Sequence, residues 1–356
     1  MTIKRSVYRT LFFKMKSIYF FIVSLLLLLA SGCRQQEGPV HFEGKAQGTY
    51  YSITYYDEQN RNFQESIDSL LDDFDLTASL WVDNSLLRRV NENRDSIVNT
   101  YFYMLVEMSR EIHDRTGGAF DCTVGKLVNA WGFGFEKKSE MSDKTIDSLL
   151  NYVGKQPEIV IDSNGTLIVR KACPESFIDF NAIAQGFSTD LVSYFLEKKG
   201  IENFLVDIGG EIIARGHKAN GSPWIVGIEK PASNKYSSPE IELKIELSDM
   251  AVVTSGNYRK YYEKEGVRYS HTIDPTTGRP VEHTLLSVSV VDSTAWLADA
   301  MATAYMVMGL ERSKQFIAEH PGIPGTKEVF FIYNENGEYK TYSTAAFNER
   351  VQKGKK

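Results

Sequence analysis

Apolar and polar positions along the chain alternate between two periods. Phe63, Ile67, Leu70, Leu71 and Phe74 recur at three- and four-residue spacing, which predicts a helix with one buried face. Thr100–Thr116 repeats that pattern, and Gly117-Gly118 behind it supplies a left-handed stop. Tyr50–Tyr56, Asn203–Ile208, Glu211–Arg215, Glu240–Leu247, Ala251–Thr254, Arg268–Ile273 and Leu286–Val291 predict strands. Ile159–Arg170 predicts a hairpin turning at Ser163-Asn164-Gly165, and a last hairpin turns at Asn334–Gly337. Pro231–Pro239 is a polar loop, and Ala295–Met308 predicts a helix capped by Gly309. Helices and strands alternate without a strict strand–helix–strand rhythm. The expected fold class is therefore α+β, a single domain of largely antiparallel sheet with packed helices.

One stretch combines both periods. Ile178–Asp190 opens apolar around Asp179, turns through Asn181-Ala182-Ile183-Ala184, and enters a helix carrying Phe187, Leu191, Tyr194 and Phe195 to about Lys199. A strand, a small-residue turn and a helix start can present amides to a phosphate. The same pattern also suits a packed strand–helix turn.

The first residues obey different rules. Lys4, Arg5, Arg9, Lys14 and Lys16 precede an apolar run of thirteen residues, Ile18–Ala30. That run is short of the ~20 residues a membrane span needs. Leu29-Ala30-Ser31-Gly32-Cys33 resembles a bacterial lipobox, with Ala30 where leucine is usual. The expected organisation is a lipoprotein signal peptide at 1–32, lipidated Cys33 opening a tether at 33–42, a catalytic domain at 43–347 and a polar tail at 348–356. An uncleaved anchor or a plain signal peptide is the alternative. The expected location is the periplasmic side, as an exported, membrane-anchored protein.

Composition narrows the picture modestly. The chain has 356 residues and a net charge of −6, which gives room for a sizeable core and argues against nucleic-acid binding. Cys122 and Cys173 lack metal-type spacing, so two buried thiols are expected, with a disulfide as the alternative.

Four constellations carry candidate chemistry. Thr116–Trp131, with two glycines, an aromatic and an acid, suits close approach to a flat ligand, or a helix cap leading into core. Trp81, beside the helix-capping Asp83-Asn84-Ser85, is either core or a stacking surface. Ser270–Pro280 sets His271 beside the proline-led turn Asp274–Gly278, and Asp207–Glu211 places two glycines at a strand end. In Ala295–Tyr305, Asp299 and Thr303 share one face of an otherwise apolar helix. An acid there needs a base, backbone amides or a metal.

Taken in order, these pieces resemble a known family, the FAD:protein FMN transferases, or ApbE-like flavin transferases. The matching pieces are Gly48-Thr49-Tyr50, Ser79–Asn91, Gly117–Gly134, Asp179–Asp190, Val206–Gly210, Thr254–Tyr258, His271–Pro280 and Asp299–Thr303 with Gly309. They span about residues 43–345. The resemblance implies one α+β domain holding FAD in a deep cleft with Mg²⁺. It implies transfer of the FMN part of FAD to a threonine or serine hydroxyl of a target protein, with AMP leaving. Family targets are membrane redox subunits of the Na⁺-pumping NADH:quinone reductase and the related Rnf complex; some relatives instead hydrolyse FAD to FMN and AMP.

Residue by residue, the resemblance implies Trp81 as the aromatic against flavin or adenine, and Ala119, Phe120 and Asp121 as nucleotide contacts. Asp179 hydrogen-bonds FAD, and Ile273 lies beside the flavin-lining stretch. The Ala182 carbonyl, Asp299 and Thr303 bind Mg²⁺, and His271 assists transfer. Gln47 and Gln185 fall at FAD-binding positions where methionine and lysine are common. Cys122 stands where proline is common, and Ala302 replaces a second acid that some members carry. Gln185 is the departure expected to affect the balance between transfer and hydrolysis. A non-catalytic flavin-binding lipoprotein is the third reading, disfavoured by the intact Asp299 and Thr303.

Overall fold

The computed structural model describes residues 38–135, 139–231, 240–257, 261–264 and 267–352. Pro39–Lys356 forms one compact unit. The expected signal segment and Cys33 lie outside the described residues, as does nearly all of the loop expected at Pro231–Pro239.

An eight-stranded sheet organises the unit. Its strands are β1 (Val40–Ala46), β2 (Thr49–Tyr55), β5 (Phe204–Ile208), β6 (Glu211–Arg215), β9 (Met250–Gly256), β14 (Leu285–Asp292), β15 (Glu328–Glu335) and β16 (Glu338–Ser343), in that spatial order. Every neighbouring pair is antiparallel. The α+β expectation holds. Small hairpins flank the sheet: β3 (Glu158–Ile161) with β4 (Leu167–Arg170), β7 (Trp224–Glu229) with β8 (Ile241–Leu247), β10 (Tyr261–Lys264) with β11 (Val267–Ser270), and β12 (Ile273–Asp274) with β13 (Arg279–Pro280).

The sheet is covered on both faces. In β14, Val288 and Val290 join a large cluster with Phe74, Phe102, Phe187 and Met301. Val291, on the alternate face, packs with Trp224, Ile245 and Phe347. Period-two alternation in a strand covered on both faces leaves nearly every residue buried, as β14 does. The helices are α1 (Gln64–Ala78), α2 (Leu86–Asn91), α3 (Thr100–Arg115), α4 (Gly125–Trp131), α5 (Asp143–Leu150), α6 (Ala184–Lys198), α7 (Ala295–Glu319) and α8 (Ala345–Arg350).

Several boundaries differ from expectation. β1 begins at Val40, so sheet occupies part of the segment expected as a tether. α8 runs to Arg350 and Val351 bridges to Ile245, so the tail expected from residue 348 begins later. Gly309 does not end its helix: its φ of 73° and ψ of 174° kink α7, which resumes to Glu319. The carbonyl of Met306, just before the kink, accepts from His283 Nε2 at 2.7 Å, and Ser313 Oγ donates to the Gly309 carbonyl at 2.6 Å. The strand expected from Arg268 to Ile273 is broken at His271-Thr272. Cys122 is buried and burial raises its thiol pKa; Cys173 is only half-buried, and both are free.

Candidate active site

Ile178–Phe180 belongs to no sheet. Its partners are improvised. Asn91 uses its side-chain amide as a strand edge, donating to the Ile178 carbonyl and accepting from the Ile178 amide, both at 2.8 Å. Asp179 N–H donates to the Cys122 carbonyl at 2.7 Å. These bonds press the Ala119–Cys122 loop against Asp179. Gly125 is required beside it, because a Cβ there would meet the Phe177 ring at 2.4 Å and Asp179 Cβ at 3.1 Å.

At the start of α6 several amides are spent on the chain itself, as the packed strand–helix turn requires. Ala184 N–H donates to the Phe180 carbonyl at 2.8 Å. Gly186 N–H, which in a regular helix would bond the carbonyl of Ala182, donates instead to Asp299 Oδ2 at 3.1 Å. The ladder begins one step later, with Phe187 N–H on the Ile183 carbonyl. The Ala182 carbonyl is thereby left outside the helix ladder.

α6 and α7 meet at this point with no room to spare. A Cβ on Gly186 would lie 2.5 Å from the Ala295 oxygen and 2.8 Å from Asp299 Cβ. Thr294 supplies no side-chain cap to α7. Asp190 of α6 caps it instead, accepting from Ala295 N–H at 2.9 Å and Trp296 N–H at 2.8 Å. Asp299 is buried, at 5% exposure, and Thr303 lies one turn further on, half-buried. Among the described residues Asp299 has no basic partner.

Burial and the Gly186 hydrogen bond act oppositely on Asp299, and burial wins: its pKa rises to about 7. Burial also raises Asp179 and Asp190 to about 6. An unfolded chain returns such groups to ~3.9. Between those values the folded state binds more protons than the unfolded one, so stability falls as pH rises from about 4 to about 7 and then levels off. Chelator-treated protein should therefore melt at a higher temperature near pH 5 than near pH 8. A melting temperature that climbs across that interval contradicts these assignments.

Gln47 and Gln185 frame the other side. Gln47, with φ 55°, and Gly48, with φ 73°, turn the β1–β2 hairpin, and Gln47 Oε1 accepts from Ser188 Oγ at 3.0 Å. Gln185 Nε2 donates to the Ile208 carbonyl at 2.8 Å and to Glu211 Oε2, tying α6 to the two-glycine turn between β5 and β6. Glu211 is a polar component of the site missed by sequence reasoning; its only signal was the Gly-Gly turn before it.

The remaining expected residues spread outward along Trp131–Phe135. Trp81 is 62% exposed, so it is not core, and its ring meets Phe135 edge-on at 6.2 Å. Phe135 packs on Phe177, beside Asp179. Phe133 meets His271 edge-on at 6.4 Å, and Trp131 Nε1 donates to the Gly278 carbonyl at 2.8 Å, pinning the His271–Pro280 loop. Ile273 is buried with Leu127, Trp131 and Ile146. Ala119 and Phe120 belong to the main core. Contacts of these three with a ligand would run through backbone. Asp121 is turned inward: Oδ1 accepts from Thr123 N–H at 2.7 Å and Gln156 Nε2 at 2.7 Å, while Oδ2 is buried without a hydrogen-bond donor.

An antiparallel α+β domain with a buried acid bound to a helix-start amide where two helices cross defines a recognisable class. The ApbE family model matches residues 47–326. An FAD:protein FMN transferase of Vibrio cholerae is 38% identical over 336 residues, covering 92% of this chain and 97% of the relative. The enzyme of the same name from Escherichia coli K12 is 34% identical, covering 89% and 92%. Among solved structures, the flavin transferase ApbE from Vibrio cholerae superposes with a TM-score of 0.74 at 35% identity, over 88% of this chain and 99% of that one. The apo flavinyl transferase ApbE of Pseudomonas stutzeri gives 0.75 at 33% identity, over 89% and 98%. The chain belongs to the ApbE family.

Proposed function

We propose that the chain is an Mg²⁺-dependent FAD:protein FMN transferase, moving the FMN part of FAD to a threonine or serine hydroxyl of a target protein and releasing AMP. The observation that carries this reading is the crossing of α6 and α7. There Gly186 spends its amide on Asp299 and leaves the Ala182 carbonyl free of the helix. Mg²⁺ takes oxygen donors and keeps several positions for water or phosphate. Asp299, Thr303 and the Ala182 carbonyl fit that requirement as a carboxylate, a hydroxyl and a carbonyl. Bound there, the ion supplies charge neutralisation for phosphates and leaving group.

The chain's own residues do the rest. Asp179 and the Ala119–Asp121 loop hold the nucleotide, Trp81 offers a ring face to flavin or adenine, and Gln47 with Gln185 closes the far side. His271 takes the proton of the incoming hydroxyl. The hydroxyl oxygen bonds to the FMN phosphorus as the pyrophosphate bond to AMP breaks, giving one phosphoester and one AMP per FAD. The acceptor is a membrane redox subunit of the kind found in Na⁺-pumping quinone reductases or Rnf complexes. With FAD, Mg²⁺ and such a subunit, AMP should appear, and a chelator should abolish it. No AMP under these conditions overturns the reading. AMP released at the same rate without the subunit favours an FAD pyrophosphatase.

The lipobox-like Leu29–Cys33 supports export as a lipoprotein held at the membrane through Cys33. Cys33→Ala should release the protein from membranes or accumulate precursor. Unchanged fractionation together with unchanged mature size contradicts the anchor.

A further inference from the structure

Two consecutive residues of α6 each hold one acid. Gly186 holds Asp299 through its backbone, and Gln185 holds Glu211 through its side chain. A glutamine amide has two hydrogens and one oxygen, and its orientation is set by its partners. Here both partners, the Ile208 carbonyl and the Glu211 carboxylate, are acceptors, so both hydrogens of Nε2 are spent. Gln185 is left with only its oxygen, which takes no donor from the described residues and is not sealed inside.

At the start of α6 the Ala182 carbonyl and the Gln185 amide oxygen are acceptors that take no donor from the described residues, one on each side of the turn that holds Asp299. A hydrated divalent cation brings the donors that these oxygens lack. We propose that Glu211 is a positioning residue: by locking Gln185 with its amide oxygen outward, it makes this surface receive the water shell of the cation. This role rests on the reading of Asp299, Thr303 and Ala182 as an Mg²⁺ site. Without Glu211 the amide is free to turn its hydrogens toward the site, where they repel the cation and its waters.

The test uses the full chain without FAD and Mg²⁺ alone as probe, reading binding from the rise in melting temperature with Mg²⁺ concentration. Outer partners of metal ligands typically change affinity 10–100-fold, so Glu211→Ala should weaken Mg²⁺ binding roughly tenfold. Glu211→Gln keeps an oxygen for Gln185 and should bind within about twofold of wild type, well below that range. Gln185→Ala should resemble Glu211→Ala, and combining the two should add nothing. Unchanged binding in a folded Glu211→Ala or Gln185→Ala variant overturns the proposal. So does a Glu211→Gln defect as large as that of alanine, or a double variant whose losses multiply. If Glu211→Ala does not fold, Glu211→Gln and Gln185→Ala decide the matter. Asp299→Ala separates the two levels: wild-type Mg²⁺ binding in that variant removes the metal reading itself, whereas its loss beside unchanged Glu211→Ala binding removes only the role of Glu211.

Discussion

Asp299→Ala should abolish Mg²⁺-dependent FAD turnover while the fold stands. Asp299 is the one charged group in the proposed donor set, and a cation facing two phosphates without it loses its protein anchor. A metal contributes several kcal/mol to such transfers, so the rate should fall by about 10³-fold or more at 1.36 kcal/mol per decade. Two structural consequences oppose each other. Gly186 N–H loses its acceptor, which costs about 1–3 kcal/mol for a buried group. Against that, the variant no longer buries an acid whose pKa is raised to about 7. The melting temperature should move little. Asp299→Asn preserves the acceptor for Gly186 but should be nearly as inactive, because a neutral amide brings no charge to the ion. Thr303→Ala should be milder and partly restored by raised Mg²⁺, since water replaces a hydroxyl. A folded Asp299→Ala protein with normal Mg²⁺-dependent turnover contradicts the assignment.

Gly186→Ala should lose both activity and stability, and that combination distinguishes it from Asp299→Ala. The added methyl would sit 2.5 Å from the Ala295 oxygen and 2.8 Å from both the Ala295 carbonyl carbon and Asp299 Cβ. None of these is the far end of a flexible chain, so the helices themselves must separate. Overpacking of this kind costs typically 1–3 kcal/mol and occasionally more. Separation also strains the Gly186–Asp299 bond and the Asp190 cap on Ala295 and Trp296, each spanning the same crossing. A lost cap adds about 1 kcal/mol. At ~2–4 °C per kcal/mol for a domain of this size, the melting temperature should drop by roughly 5–15 °C. Thermal denaturation monitored by circular dichroism checks it. An unchanged melting temperature would mean that the two helices do not cross as tightly as described.

Much of this architecture was legible in sequence, for identifiable reasons. α1, α3 and α6 pack one face on a core, so their apolar spacing carried the signal. β5, β6 and the β15–β16 hairpin were marked by glycine or asparagine turns. What escaped was whatever depends on partners distant in the chain. The first three residues of β1 looked like tether: as an edge strand β1 buries little beyond Phe42. Ile178–Phe180 looked like a strand because it is apolar around Asp179, yet its backbone is paired by an asparagine 87 positions away. Gly309 looked like a stop; only the His283 bond to the Met306 carbonyl and the Ser313 bond to its own carbonyl show how the helix resumes. The i, i+4 pair of Asp299 and Thr303 was readable from periodicity alone. That Gly186 gives its amide to Asp299, and that Glu211 holds Gln185, were not, because neither contact leaves a local pattern.

Covalent labelling of an acceptor tests the transfer of FMN to protein most directly. The full chain is incubated with FAD, Mg²⁺ and a purified quinone-reductase subunit, and the products are separated on a denaturing gel and imaged for flavin fluorescence. Flavin transfer predicts a fluorescent subunit band that survives denaturation, requires Mg²⁺, and disappears when the acceptor hydroxyl is removed. FAD consumed to free FMN and AMP, with the subunit dark, would contradict it.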